Sequence, residues 1–531
     1  MGRQKVISMQ AAARLIDDGD VVTVSSSSGL GCPDAILAAI GARFEAQRRP
    51  RGLTLLHPIA AGDMYGVKGI DHLAKPGLIH SVIAGSFPSG PSSKPMPEIW
   101  RMVIDNEIRA YNLPSGVMFD MHREAAAKRP GVLTKVGLDT FVDPARQGGA
   151  MNRVSRSEPI VRKVSFAGSE WLFFPAIAPR VAIVRATTAD ESGNLSYEHE
   201  GALLGGLEQA IAARNSGGFV IAQVKRVVKA GALRTQDVRI PSNLVDYIVV
   251  DPDQKQTTQV AYDPTISGEI VVPDHEFALA AWNADKVIAR RAAAELADAD
   301  TANLGFGISA LVPRILLEEG LNGRVTWAIE QGAVGGMPLL GFAFGCAANA
   351  QAIMPSPLQF TYFQGGGFDV SLLSFLQIDR FGNVNVSKLP SKPYLTAGCG
   401  GFVDITSHAK TLVFSGFFTA GAKLEVGEGR LVIAVEGQAR KLVDEVDHVT
   451  FSGRMAQQRG QQVLYVTERC VMRLTTVGLE VTEIAPGVDL RKDVLDQAGF
   501  PLSVAHDLKT MDSAMFCDAP YGLRLKEPRR G

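Results

Sequence analysis

The sequence predicts an α/β protein with two related domains, each formed around an open parallel sheet. Short apolar runs alternate with helical stretches along the 531 residues, the pattern expected of parallel strands covered by helices. At about 150 residues per domain, this length allows at least two domains. A polar, turn-rich segment, Asp263–Ala280, interrupts the pattern, so we predict domains over residues 1–275 and 276–531.

Two stretches are predicted to be helices and five apolar runs are predicted to be buried strands. Parallel strands are covered on both faces, which favours continuous runs of Val, Ile and Leu over strict alternation. The predicted helices are Ala11–Ile16 and Ile288–Leu296, and the predicted strands are Val21–Val24, Val181–Val184, Phe219–Val224, Val325–Ile329 and Thr411–Phe414.

Three motifs of the first half recur in the same order in the second half, which indicates that the two domains are related. The pairs are Asp20 with the strand and Gly29-x-Gly31 that follow it, against Asp300 with a strand and Gly305-x-Gly307; Asp190–Asn194 against Asp379–Asn383; and Gly217–Val220 against Gly400–Val403. We expect the first domain to be enlarged by an insertion around residues 50–175.

Charge and cysteine content argue against several classes of partner. The 54 basic and 55 acidic residues leave a net charge of −1, so no overall field favours nucleic acid or an anionic membrane. Five scattered cysteines without a C-x-x-C pair indicate neither a disulfide framework nor structural zinc. Met1–Asp20 lacks the apolar core of a signal peptide, and proline and glycine interrupt the apolar stretch Gly336–Pro355. We therefore expect a cytoplasmic protein.

One acidic segment has no counterpart in the first half. The predicted strand Val325–Ile329 is followed by Glu330-Gln-Gly-Ala-Val-Gly-Gly336. Ligands of open α/β sheets bind beyond the carboxyl ends of the strands, where Glu330 would emerge beside glycines that allow close approach. The carboxylate could act as a nucleophile, a general base, a metal ligand or a helix cap, although His275 and His408 show no ligand spacing with it. The sequence predicts a single active site between the halves.

Two glycine-rich motifs give the sequence a resemblance to a known family. Glu330-x-Gly332-x-x-Gly335-Gly336 and Gly398-Cys399-Gly400-Gly401-Phe402 resemble the motifs of family I coenzyme A transferases. Within that family the chain is similar to the single-polypeptide acetate/propionate CoA-transferases, including those that act on acetate and 3-ketoacids. The supporting segments run from near residue 10 to about residue 490: Lys135–Phe141, Ala189–Asn194, Val224–Gly231, Thr467–Cys470 and Glu483–Asp489.

The resemblance implies a fold of two CoA-transferase-type domains and a ping-pong reaction on Glu330. Coenzyme A would move between an acyl-CoA and a small carboxylic acid such as acetate, propionate, butyrate or a 3-ketoacid. The intermediates would be an acyl-glutamyl anhydride and a glutamyl-CoA thioester. It implies no metal and no permanently bound cofactor, since coenzyme A is a substrate. It also implies a homo-oligomer, a tetramer by analogy.

The same resemblance assigns further residues. Backbone groups of Gly398, Gly400 and Gly401 would contact the reacting oxygen or the thioester. The implied CoA-binding residues are Gly305, Gly307, Asn385 and Lys423, and the implied acyl-pocket loop contains Ser26, Ser27 and Gly29. Gln331 and Ser25–Ser28 differ from the residues of many relatives, so the resemblance does not transfer a particular acyl preference.

Three alternative functions are open to different degrees. An acyl-CoA hydrolase on the same fold would need the same glutamate, with water intercepting the intermediate. A small-molecule sensor would not need both glycine segments, and no DNA-binding helix pair or basic face is evident. An NAD-dependent dehydrogenase is not supported, because Gly29-Leu-Gly31-Cys-Pro-Asp lacks the third glycine of the dinucleotide fingerprint.

Overall fold

A computed structural model describes residues 5–88 and 96–529. Its helices alternate with strands, as the sequence predicts. The α-helices are α1 Met9–Arg14, α2 Asp34–Gln47, α3 Glu98–Ile104, α4 Ser115–Ala126, α5 Arg153–Arg156, α6 Gly206–Asn215, α7 Pro264–Ser267, α8 Ala284–Ala293, α9 Val312–Glu318, α10 Ser356–Gln364, α11 Phe402–His408 and α12 Gly453–Gln458.

The strands fall into a first group before residue 251 and a second group after residue 300. The first group is β1 Val21–Val24, β2 Leu53–His57, β3 Ile79–Ala84, β4 Arg109–Asn112, β5 Gly131–Thr134, β6 Arg162–Phe166, β7 Ser169–Pro175, β8 Val181–Asp190, β9 Leu195–Ser196, β10 Phe219–Val228, β11 Val238–Ile240 and β12 Tyr247–Val250. The second group is β13 Thr301–Leu304, β14 Thr326–Ala328, β15 Ala333–Val334, β16 Met337–Pro338, β17 Ala347–Ala348, β18 Ala352–Ile353, β19 Val370–Ser374, β20 Gln377–Asp379, β21 Val384–Asn385, β22 Thr411–Ser415, β23 Thr419–Ala420, β24 Lys423–Gly427, β25 Arg430–Val435, β26 Ala439–Arg440, β27 Leu442–Val443, β28 Gln462–Val466, β29 Cys470–Thr475, β30 Gly478–Ile484 and β31 Ser503–Thr510.

Each group contains one large sheet beside smaller ones, and each large sheet has a five-stranded parallel core. In the first sheet the core order is β2-β1-β8-β10-β12, and in the second it is β14-β13-β19-β22-β28. Strands β3 and β4 extend the first sheet beyond β2, whereas β29, β30 and β31 extend the second beyond β28. The predicted fold class, two related open parallel sheets in one chain, is confirmed.

Local motifs of the two halves confirm two of the three repeats. The turns after β8 and β20 are the same, because Asp190 and Asp379 each accept a hydrogen bond from the side-chain amide of an asparagine four residues on. Asp20 and Asp300 each accept the backbone N–H of the third residue before them, just ahead of β1 and β13. These side chains fix turns that the backbone alone would leave unsatisfied.

Two details of the predicted repeat are wrong. The distance in sequence from Asp20 to Pro33 equals that from Asp300 to Pro313, so these two stretches align without a gap. In this alignment Gly305 corresponds to Ser25, not to Gly29. The glycine pair Gly217–Gly218 precedes strand β10, whereas Gly400–Gly401 precedes helix α11. The counterpart in the first half is Gly205–Gly206 at the start of α6, since α6 and α11 both lead into the fourth strand of their cores.

The predicted element bounds differ from the observed ones mainly in length. Strands β8 and β10 continue well beyond the predicted runs, because their polar ends still lie within the sheet and are paired with each other. Helices α1 and α8 begin at least two residues earlier than predicted, where Ser8 and Asn283 cap them with side-chain hydrogen bonds. The domain boundary near residue 275 falls between the two sheets and stays a prediction, as does the insertion around residues 50–175.

Candidate active site

Glu330 lies just beyond the end of β14, at the edge where β13 and β19 also end. Helix α10 holds the backbone on both sides of this residue. The Gln359 amide donates to the carbonyl of Ile329 at 3.2 Å, and the Ser356 hydroxyl donates to the carbonyl of Gln331 at 3.0 Å. The prediction that Glu330 emerges at the carboxyl edge of the sheet is therefore correct. Helix α10 holds the main chain of Glu330 in place.

The Gln331 amide donates a hydrogen bond to Oε1 of the Glu330 carboxylate at 3.3 Å. The backbone N–H of Gly401 faces the carboxylate and lowers its pKa. Burial outweighs these donors and raises the pKa of Glu330 to about 7. Desolvation of a carboxylate disfavours its charged form, which leaves a more basic and more nucleophilic oxygen than a glutamate in water has.

The glycine segment 398–401 presses against the carboxylate. A Cβ placed on Gly401 would lie 3.1 Å from Cδ of Glu330 and 2.5 Å from the ring of Phe360, so the site requires glycine there. Gly400 is farther away, with a Cβ position 3.8 Å from Oε1 of Glu330, and its N–H donates to the carbonyl of Gly85 at 2.9 Å. Of the amides expected to serve the reaction, that of Gly400 is occupied and that of Gly401 faces Glu330.

The first half of the chain braces this segment. Asn112, at the end of β4, accepts the N–H of Cys399 at 2.8 Å and donates to the carbonyls of Ala84 and Gly85. The Asn112 amide also fills the space beside Gly398, where a Cβ would lie 2.8 Å from its nitrogen. Residues of both halves therefore form the candidate site, as the sequence predicts.

Gly305 and Gly307, predicted to bind coenzyme A, lie in the turn after β13, next to β14 and hence near Glu330. A Cβ on Gly307 would come within 2.7 Å of the Ser374 hydroxyl, and its φ of 103° favours glycine. The exposed Phe306 between them meets Phe344 edge to face, with ring centroids 5.7 Å apart. The turn is at the correct edge for a substrate contact.

The environments of the other two predicted CoA-binding residues differ. Asn385 is fully buried, and its amide bonds to Gln377 and to the backbone of Ser387 and Lys388. Its side chain shapes a turn and is not available to a ligand, which corrects that prediction. Lys423 is exposed at the start of the β24–β25 hairpin, so its role stays a prediction.

The predicted acyl-pocket loop is tightly held. The Ser26 hydroxyl donates to the carbonyl of Ser28, and the backbones of Ser27 and Leu30 pair with each other. A Cβ on Gly29 would overlap the hydroxyl of Thr258, so this glycine is required for packing. Leu30 packs with Cys346, next to the loop that covers Gln331. The loop approaches the site through Leu30, and Ser26 and Ser27 are buried in its turn.

Sequence reasoning missed the residues that support the site from a distance. They are Gly85, Ser86, Asn112, Gln359 and Asp404. An asparagine that ends a strand, or an aspartate inside a short helix, has no local pattern that marks it as functional.

The described residues contain no group of three His, Cys, Asp or Glu side chains arranged to hold a metal ion. Within the same residues, no helix is long and apolar enough to span a membrane.

The chain is similar in sequence to known coenzyme A transferases. The sequence profile of the family "Coenzyme A transferase" matches residues 6–251. Caffeate CoA-transferase from Acetobacterium woodii is 41% identical over 524 residues, which cover 98% of each chain. Acetate CoA-transferase YdiF from Escherichia coli O157:H7 is 38% identical over 529 residues, 99% of this chain and 98% of its own.

Solved structures of an acyl-CoA transferase also match this chain over nearly its whole length. Crystal structures of acyl-CoA transferase YdiF from E. coli O157:H7, as the apoenzyme and as a thioester complex with CoA, are 37% identical in sequence and have TM-scores of 0.92 and 0.90. Each comparison covers 99% of this chain and 98% of the other.

Proposed function

This chain belongs to the coenzyme A transferase family, and we propose that it moves coenzyme A between a short-chain acyl-CoA and a carboxylic acid through covalent intermediates on Glu330. That it is a CoA-transferase follows from relatives about 40% identical along its whole length. The observation that carries the proposed mechanism is the Glu330 carboxylate, held at the carboxyl edge of β14 against the N–H of Gly401.

The first step forms an anhydride. A carboxylate oxygen of Glu330 attacks the thioester carbonyl, and the C–S bond breaks with release of the CoA thiolate. The thiolate then attacks the glutamyl carbonyl and expels the donor acid, leaving a glutamyl-CoA thioester. Burial makes the nucleophile more basic, and the braced backbone limits the motion that positioning must overcome.

The second half-reaction reverses these steps with a different acid. The acceptor carboxylate attacks the glutamyl thioester, the thiolate leaves, and the thiolate returns to the acyl carbonyl of the new anhydride. The new acyl-CoA departs and Glu330 is free again. Each attack on the glutamyl carbonyl puts negative charge on an oxygen that the Gly401 N–H can hold, and losing such a donor costs about 10²–10³ in kcat.

For the substrate we propose small acids: acetate, propionate, butyrate or a 3-ketoacid. The relatives are named for caffeate and for acetate at similar identities, so overall identity alone does not separate the two classes of acid. The polar amide of Gln331 beside the nucleophile favours an acid with little apolar bulk at that point. The test is a panel of these acids and caffeate as acceptors with one acyl-CoA donor.

Trapping the intermediate tests the mechanism. The protein is incubated with propionyl-CoA without acceptor, and its intact mass and the Glu330 peptide are measured. We expect a mass increase equal to CoA less one water, located on Glu330 and removed by acetate. Glu330→Gln should form no adduct, whereas Glu445→Gln, an exposed position, should behave as the wild type.

Other outcomes would overturn parts of the proposal. Steady CoA release with no acceptor and no dependence on acetate would establish the hydrolase alternative. An adduct that persists in Glu330→Gln would place the nucleophile elsewhere. Faster turnover with caffeate than with any small acid would overturn the proposed substrate class and leave the mechanism intact.

A further inference from the structure

Asp404 is a fully buried aspartate in the first turn of helix α11, the helix that begins after Gly401. Each of its oxygens accepts one hydrogen bond. The backbone N–H of Gly116, in the first turn of α4, donates to Oδ2 at 2.9 Å, and the Gln364 amide at the end of α10 donates to Oδ1 at 3.0 Å. One side chain thus joins three helices, one of them from the other half of the chain.

All three helices also contact the neighbourhood of Glu330. Helix α10 holds the backbone carbonyls on both sides of Glu330 through Gln359 and Ser356. Helix α4 holds the glycine segment, because the N–H of Ser115 donates to the carbonyl of Gly400 at 3.0 Å. Helix α11 follows directly on Gly401. Asp404 is the point at which these three supports are tied together.

The packing around Asp404 leaves little room for movement. A Cβ on Gly116 would lie 2.6 Å from Oδ1 of Asp404 and 2.7 Å from Nε2 of Gln364. A buried carboxylate with two donors and no room beside it costs free energy if either donor is lost. The cluster is therefore held in one arrangement, and it is close enough to Glu330 for the two carboxylates to repel each other.

We propose that Asp404 is a positioning residue of the transfer reaction, which fixes helix α11, and with it the Gly401 N–H, against Glu330 by tying it to Gly116 of the first half and to Gln364. This inference rests on the proposed function of Glu330. Asp404 itself touches neither substrate nor the reacting atoms. Loss of the Asp404 side chain would leave Glu330 in place, but the Gly401 N–H would be less precisely positioned against it.

The test separates the speed of the reaction from the amount of competent protein. Asp404→Ala, Asp404→Asn and Gly116→Ala are mixed rapidly with propionyl-CoA, and the rate and the final amount of the Glu330 adduct are measured. For Asp404→Ala we expect the rate to fall about 10²-fold, the effect of a misplacement near 1 Å, with a final amount close to wild type and a KM for propionyl-CoA within about threefold. In Gly116→Ala, which disturbs the same contacts from the other half, the rate of adduct formation should also fall.

Conservative and remote variants complete the test. Asp404→Asn keeps an oxygen for the Gly116 N–H, so it should recover most of the rate. Asp190→Ala, which removes a buried aspartate of a turn in the first half, controls for general loss of stability. A normal rate in a folded Asp404→Ala protein would overturn the inference, as would a reduced final amount with a normal rate constant. Failure of the wild type to form any adduct would instead overturn the proposed function.

Discussion

The two halves of the chain have the same five-stranded core, but only the second places a carboxylate at the end of its outer core strand. Strand pairing aligns Leu55 with Trp327, and therefore Pro58 with Glu330. Both halves also place a glycine pair before a helix, at Gly205 and at Gly400. The two cores therefore provide equivalent positions, and the second half has at this position the glutamate that we propose as the nucleophile.

The first half, which has Pro58 at this position, contributes supporting contacts to the site. Its edge strands β3 and β4 end in Gly85, Asn112 and the start of α4, all of which hold the glycine segment of the second half. A parallel sheet presents its loops at one edge, so two sheets that face each other can divide a site between them. The first half therefore supports the glycine segment of the second.

Shortening the nucleophile should give the largest effect. In Glu330→Asp the carboxylate withdraws by one methylene from the Gly401 N–H, and we expect turnover to fall by about 10³-fold, beyond the 10²-fold typical of a 1 Å misplacement. Steady-state CoA transfer measures this. Turnover that stays within tenfold of wild type would contradict the inference that the position of the Glu330 carboxylate against the Gly401 N–H limits the reaction.

The two helix-capping glycines offer a matched pair. A Cβ on Gly401 would meet the ring of Phe360 at 2.5 Å, and a Cβ on Gly205 would meet the ring of Phe119 at 2.4 Å. Gly401→Ala and Gly205→Ala should therefore lower the melting temperature by similar amounts. The rate of adduct formation should fall about 10²-fold in Gly401→Ala alone, because only there would the added Cβ, 3.1 Å from Cδ of Glu330, displace the backbone N–H that faces the carboxylate. Equal kinetic losses would show that packing, not the donor, matters.

The pH dependence follows from burial of the nucleophile. Burial raises the pKa of Glu330 to about 7, and only the carboxylate attacks, so the rate of adduct formation should rise about tenfold per pH unit below pH 7 and level off above it. Burial also raises the pKa of Asp404 to about 7. In Asp404→Asn the midpoint should move to lower pH, because a neighbouring negative charge is gone. A flat profile between pH 5 and 8 would contradict the raised pKa.

Loss of the brace from the first half should have the smallest effect on rate. Asn112→Ala leaves the N–H of Cys399 and the carbonyls of Ala84 and Gly85 without their partner. We expect the free energy of unfolding to fall by about 2–3 kcal/mol and kcat to fall about tenfold, measured by denaturant unfolding and initial rates. A stability loss with unchanged kcat would show that the glycine segment keeps its position without Asn112.

Sequence reasoning located Glu330 but not the residues that support it. Glu330 was predictable because a charged residue followed by glycines directly after a buried strand is a local pattern. Gly401 was predictable from the resemblance, although the occupied N–H of Gly400 was not. Asn385 was assigned to coenzyme A and instead shapes a turn, because the partners that use its amide, Gln377 and Lys388, are known only once the chain is folded.

The repeat shows the same division. Side-chain-capped turns at Asp190 and Asp379 are local, so their likeness was visible in the sequence and holds in the structure. The pairing of Gly217 with Gly400 rested on identical letters and was wrong, since one pair precedes a strand and the other a helix.

The α/β class, the internal repeat, the strand that precedes Glu330 and the glycine segment that accompanies it can all be predicted from the order of residues, because each depends on the pattern of neighbouring residues. Contacts formed on folding determine which amide faces the carboxylate, how far burial raises its pKa, and how Gly85, Asn112 and Asp404 hold the two halves together around it. Those properties arise from contacts between residues hundreds of positions apart, such as Gly116 with Asp404 and Asn112 with Cys399. No local pattern encodes them, since they depend on how the two sheets are brought together.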